Sequence, residues 1–200
     1  MGVSAIPPIR AAADSFALVE RQLAEFRWRP EVQVTEIPAP NRIAPRAAAV
    51  QAVVMGDGDE IGNGRLVLLH DPAGNEAWAG TFRLVSFARA DVDEQMVADP
   101  LLPEVGWSWL TDSLTQRHAD FTAASGTVTS VASRSFGEMA DDPARSEVEI
   151  RASWTPVFAD PADLVPHLRA WQDLLCTTAG LPSLPDGVVQ LAPRSGLRPL

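Results

Sequence analysis

Small and apolar residues recur at helical spacing through Ile9, Ala12, Ala13, Phe16, Leu23 and Phe26, bracketed by Pro7-Pro8 and Pro30. The stripe predicts a first helix over about residues 9–27. Beyond it the period changes to two. Val32 and Val34 alternate with Gln33 and Thr35 in Glu31 to Ile37, a half-buried edge strand stopped by Pro38 and Pro40. A second strand is expected over Ala47 to Met55, and the Gly- and Asp-rich stretch from Gly56 to Gly64 reads as a loop. Arg65 to His70 is a third strand, Asp71 to Asn75 a turn, and Trp78 to Ala88 a fourth strand. That last strand carries Phe82 and Leu84 on one face and Val85 and Phe87 on the other, so it belongs in the middle of a sheet.

A short helix is expected over Asp91 to Ala98, followed after Asp99-Pro100 by a helix over about residues 104–118 built around Trp107, Leu110 and Leu114. Two long strands follow, Thr122 to Phe136 and Glu147 to Trp154, the second with Val148, Ile150, Ala152 and Trp154 on one face. Asp160-Pro161-Ala162-Asp163 supplies an N-cap, an N1 proline and an early acid for a last helix with the stripe Leu164, Leu168, Trp171 and Leu175, capped at Gly180. The order predicts an α+β domain: a mainly antiparallel sheet of about six strands with three main helices packed largely on one face. Residues 1–8 are expected to be a flexible N-terminus, 9–180 one domain, and 181–200 a proline-containing tail.

Composition adds exclusions. The chain has 200 residues, 46% hydrophobic and 21% charged, enough for one continuous core. Its net charge is −10, with the acidic excess between residues 51 and 150, and all sixteen basic residues are Arg. Without Lys there is no P-loop lysine or Schiff base, and without Tyr no phenolic acid/base chemistry. An acidic surface repels phosphate backbones and makes nucleic acid an unfavoured partner. The single Cys176 rules out an internal disulfide and a CxxC site, which fits a cytoplasmic protein. No secretory leader and no run long enough to span a membrane is apparent. His70, His118 and His167 lack metal-ligand spacing, so no cofactor or metal is expected. Asp57, Asp59 and Asn63 imitate a calcium loop, but Ile61 and Leu68 stand where oxygen ligands are needed.

Three stretches, Arg65 to Trp78, Asp99 to Thr111 and Thr122 to Thr129, resemble an actinobacterial family known as a three-thousand-series domain of unknown function. The resemblance covers roughly residues 9–178 and implies no activity, cofactor or site residue. The element order is also similar to that of secretion-chaperone-like α+β domains, with one strand more.

Weak candidates for chemistry remain. His70-Asp71 at a strand end resembles an oriented base, although adjacent strand residues point to opposite faces. The reading with most support is a non-catalytic protein-interaction or regulatory domain, binding an unidentified protein partner or itself. Six tryptophans exceed what the core requires and supply anchors. On the helix over 104–118, with Leu110 as the origin, Trp109 falls at about −100° and Val105 at about −140°, away from the core stripe, as an interaction surface. An alternative is a small-molecule site or enzyme pocket between the sheet and that helix, using His70, Arg83 and Glu104. A second alternative is RNA binding through the Arg27–Arg46 region, where Arg27-Trp28-Arg29 interleaves cation and aromatic.

Overall fold

The computed structural model describes residues 10–182, with side chains from Ser15 onward. The expected N-terminal segment 1–8 and most of the expected tail lie outside the described residues. Six strands, β1 (Val32–Ile37), β2 (Arg46–Gly56), β3 (Asp59–Asn75), β4 (Gly80–Asp91), β5 (Phe121–Ser133) and β6 (Arg145–Pro156), form one antiparallel sheet ordered β1-β2-β3-β4-β6-β5. The helices are α1 (Arg10–Glu25), α2 (Glu94–Val97), α3 (Leu102–Gln116) and α4 (Leu164–Thr178). The chain is an α+β protein with the element order that the hydrophobic pattern predicts.

Alternation along the strands builds two unlike faces. Val50, Leu66, Leu68, Leu84, Val148, Ile150, Ala152 and Trp154 point inward to a core completed by Phe16, Val19 and Leu23 of α1, Leu110 and Leu114 of α3, and Leu168, Trp171 and Leu174 of α4. Helix α4 contacts both α1 and α3, and its buried Trp171 and the strand residue Trp154 are the largest wholly enclosed side chains. The capping box at Asp160 and Asp163 forms, although it caps a 3-10 turn that leads into α4. On the opposite face no described helix packs. Ala49, Val67 and Leu69 meet Ile37, Ala39, Ala44, Ala47 and Trp78 in a small second cluster at one end of that face.

Several boundaries differ from expectation. The stretch from Gly56 to Gly64 is mostly strand: the turn is confined to Asp57 and Gly58, both at positive φ as a two-residue hairpin of primed type requires, and β3 begins at Asp59. Gly62 and Gly64 pair with Ala90 and Ala88 inside the sheet. A Cβ at Gly64 would sit 2.4 Å from Leu175 Cδ2 and 2.7 Å from the Phe87 carbonyl, so glycine here admits α4 to the sheet rather than marking a loop. Likewise β3 continues irregularly past Asp71 to Asn75, and the chain reverses at Glu76–Ala79. Helix α3 starts at Leu102, two residues earlier than expected.

Candidate functional site

His70 lies on the helix-covered face, 2% exposed, its ring stacked 4.3 Å from Phe82 and 5.6 Å from Phe16. Burial, and then the neighbouring Arg46, lowers its pKa. Asp71 points away and accepts from the Ala73 amide, so no His-carboxylate dyad forms. Arg83 follows Phe82 in β4 and therefore belongs to the other face, while Glu104 is exposed on α3. The structure thus separates His70, Arg83 and Glu104, and the pocket expected between sheet and α3 is not built from them. The interaction pair also divides. Val105 is 42% exposed, but Trp109 is half-buried and packed against the core.

Other sequence candidates take structural roles. Asn63 donates to Glu60 beside the hairpin, and among the described residues no cluster of ligands could hold a metal. Trp28 is packed edge-on against Phe26 and Trp171, Arg29 is paired with Glu31, and Arg46 lies over the Phe16 ring. Those contacts use the aromatic face and two of the cations of the Arg27–Arg46 region. Cys176 is wholly buried, and burial pushes its thiol up to about 11, far from a reactive thiolate.

A concavity that gathers polar groups lies on the sheet face against which no described helix packs. Register makes it. Val67 pairs with Val85, Val85 with Ser153, and Ser153 with Ser125 across β3, β4, β6 and β5. The next outward row is Arg65, Phe87, Arg151 and Thr127. Together these rows line a trough of about 500 Å³. Arg151 stacks over the Phe87 ring at 5.4 Å and pairs with Glu149 at 2.6 Å. Arg65 is exposed at the opposite wall. Beneath the Ser125–Ser153 end sits Arg83, 7% exposed. Its Nη1 donates to the Ala123 carbonyl at 2.8 Å and to Thr155 Oγ1 at 3.0 Å. Its Nη2 donates to Ser125 Oγ at 3.2 Å and Ser153 Oγ at 2.6 Å. Desolvation lowers its pKa from the ordinary arginine value, and no described carboxylate opposes it.

Of these residues the sequence pattern marks Arg83 as a site candidate, and for a different cavity. The available signal was the outward alternation of Arg65, Arg83 and Arg151 in strands whose inward positions are apolar. The pairing that brings β5 beside β6, and β6 beside β4, is long-range and has no local signature. No helix among the described residues is long and apolar enough to cross a membrane. A family model described as "Protein of unknown function (DUF3000)" matches residues 12–189. Searches of curated proteins and of solved structures each returned no match.

Proposed function

We propose that this chain, which belongs to the DUF3000 family of proteins of unknown function, is a non-catalytic binding domain that engages an acidic protein partner through the sheet face against which no described helix packs. The observation that carries the reading is the trough itself: an apolar centre of Val67, Val85 and Phe87 flanked by Arg65 and Arg151, in a chain whose net charge is −10. Apolar anchors flanked by arginine are the composition of a contact surface, and Arg65, with Arg151 held by Glu149, favours acidic side chains opposite it. Catalysis has less support, since His70, His167 and Cys176 are buried in the core, away from the trough. We place the protein in the reducing cytoplasm of an actinobacterial host, on its lone buried cysteine and its all-arginine basic composition.

A photo-crosslinking amino acid replacing Phe87, and separately Val105, in the full chain in its host tests the surface. The expected outcome is a discrete protein adduct from position 87, identified by mass spectrometry, and none from position 105. An adduct with a second copy of the chain would make the partner the protein itself. Adducts from position 105 alone, or from neither, would overturn the assignment. A second reading, a small amphiphilic acid as ligand, draws on the trough volume of about 500 Å³, which lies in the range of small-molecule sites.

A further inference from the structure

We infer that Ser125 and Ser153, held by the buried guanidinium of Arg83, form a carboxylate-recognising subsite at one end of the trough, with Val85 and Phe87 receiving the apolar body that carries the carboxylate. The inference deepens the reading above and rests on it for the use of this face.

Two other arginines with largely enclosed side chains set the contrast. Arg29 and Arg117 are each neutralised by a carboxylate, Glu31 and Asp173. Arg83 is as deeply placed, yet its four acceptors are all neutral oxygens: one carbonyl and three hydroxyls. Taking a guanidinium out of water without a counter-charge is costly, and an anion arriving nearby recovers part of that cost. The positive field of Arg83 reaches the trough through the two serines that line it.

Those serines are oriented by the same contact. Each Oγ accepts from Arg83 Nη2, so each hydroxyl hydrogen points elsewhere. The two oxygens stand 3.4 Å apart, and one hydroxyl can donate to the other when the trough is empty. Facing a carboxylate, both can donate, one to each oxygen, as charge-assisted bonds. Arg65 at the opposite wall adds a cation that no carboxylate among the described residues pairs with, whereas Arg151 is already engaged by Glu149 and Phe87. Two donors beside apolar Val67, Val85 and Phe87 suit one carboxylate on an apolar body. A phosphate dianion would have more oxygens than this subsite has donors.

The test titrates the full isotope-labelled chain, followed by amide NMR, with 3-phenylpropionate, its uncharged amide 3-phenylpropanamide, and inorganic phosphate. The acid is expected to shift Ser125 and Ser153 saturably and to bind about tenfold more tightly than the amide, the worth of one hydrogen bond to a charged group. Ser125→Ala combined with Ser153→Ala should bring the acid down to the level of the amide, while Phe87→Ala weakens both. Equal binding of acid and amide by the unaltered protein, shifts confined to another region, or displacement of the acid by equimolar phosphate would overturn the subsite. A capped tetrapeptide carrying Phe-Glu, compared with its Phe-Gln counterpart, separates the sources of the carboxylate. If phenylpropionate binds as expected but the two peptides are indistinguishable, the subsite stands and the protein-partner reading alone fails.

Discussion

The buried histidine of α4 shows how a single side chain couples this fold to pH. His167 is 1% exposed, and its Nδ1 accepts from Trp154 Nε1 at 3.1 Å, a bond that only a ring unprotonated at Nδ1 can receive. Burial holds its pKa down to about 4, against 6.5 for the free side chain. Below pH 6.5 the unfolded chain takes up a proton that the folded chain refuses. Stability is therefore fully present above about 6.5 and is lost as pH falls toward about 4. The shift corresponds to roughly 2–3 kcal/mol lost between pH 7 and pH 4.5. Urea unfolding at the two pH values should show His167→Gln with a shallower loss than the parent by about that amount; parallel losses would mean that His167 does not carry the dependence. Nothing in the sequence around Pro166-His167-Leu168 distinguishes this residue from an ordinary helical histidine, because its partner Trp154 comes from β6 through tertiary packing.

At the scale of elements, periodicity was legible wherever local burial dictated it, and misleading where packing reached across the chain. The sequence stripe on α3 centres on Trp107, Leu110 and Leu114, but the buried set is Leu102, Gly106, Leu110, Ser113 and Leu114. With Leu110 as origin, Leu102 lies at about −80° and Ser113 at about −60°, so the stripe is rotated toward Trp109 and both tryptophans flank it. Gly106 is buried because a Cβ there would lie 3.0 Å from Val128 of β5, a neighbour 22 positions away that no window along the helix contains. Leu110→Ala should cost about 2–5 kcal/mol, Trp109→Ala roughly half the cost of a fully buried tryptophan, and Val105→Ala less than about 0.5 kcal/mol. Thermal unfolding of the three variants checks that order, and a Trp109 value as small as that of Val105 would restore Trp109 to the open surface. The same logic governs β3. Gly64 looked like loop because its reason for being glycine, the approach of Leu175 from α4, is absent from the local sequence. Gly64→Ala should destabilise by about 1–3 kcal/mol or more, since one obstacle is the Phe87 carbonyl, which cannot swing aside. An unfolding midpoint unchanged by this substitution would refute the close approach.

Across the whole molecule, charge acts with opposite signs at two ranges. Far from the surface an acidic ligand meets a chain of net charge −10, which repels it. Within the trough it meets Arg65 and the field of Arg83, in a hollow whose centre is apolar. Salt separates the two, because screening shortens electrostatic reach from about 30 Å at 0.01 M to about 8 Å at 0.15 M and about 3 Å at 1 M. Raising salt to 0.15 M should therefore remove most of the long-range repulsion while sparing short contacts to partly buried groups. The expected affinity for 3-phenylpropionate is unchanged or higher at 0.15 M than at 0.01 M and falls only toward 1 M, as measured by the same NMR titration. A steady, steep decline from the lowest salt would instead indicate an exposed, purely cationic attraction of the kind that polyanions exploit. It would shift the interpretation from the serine subsite toward an exposed cationic surface, and a matching salt-sensitive complex with single-stranded RNA, abolished by replacing Arg27 and Arg42, would locate that surface in the Arg27–Arg46 region. Arg27 and Arg42 serve for this purpose because both side chains are exposed, unlike the paired Arg29.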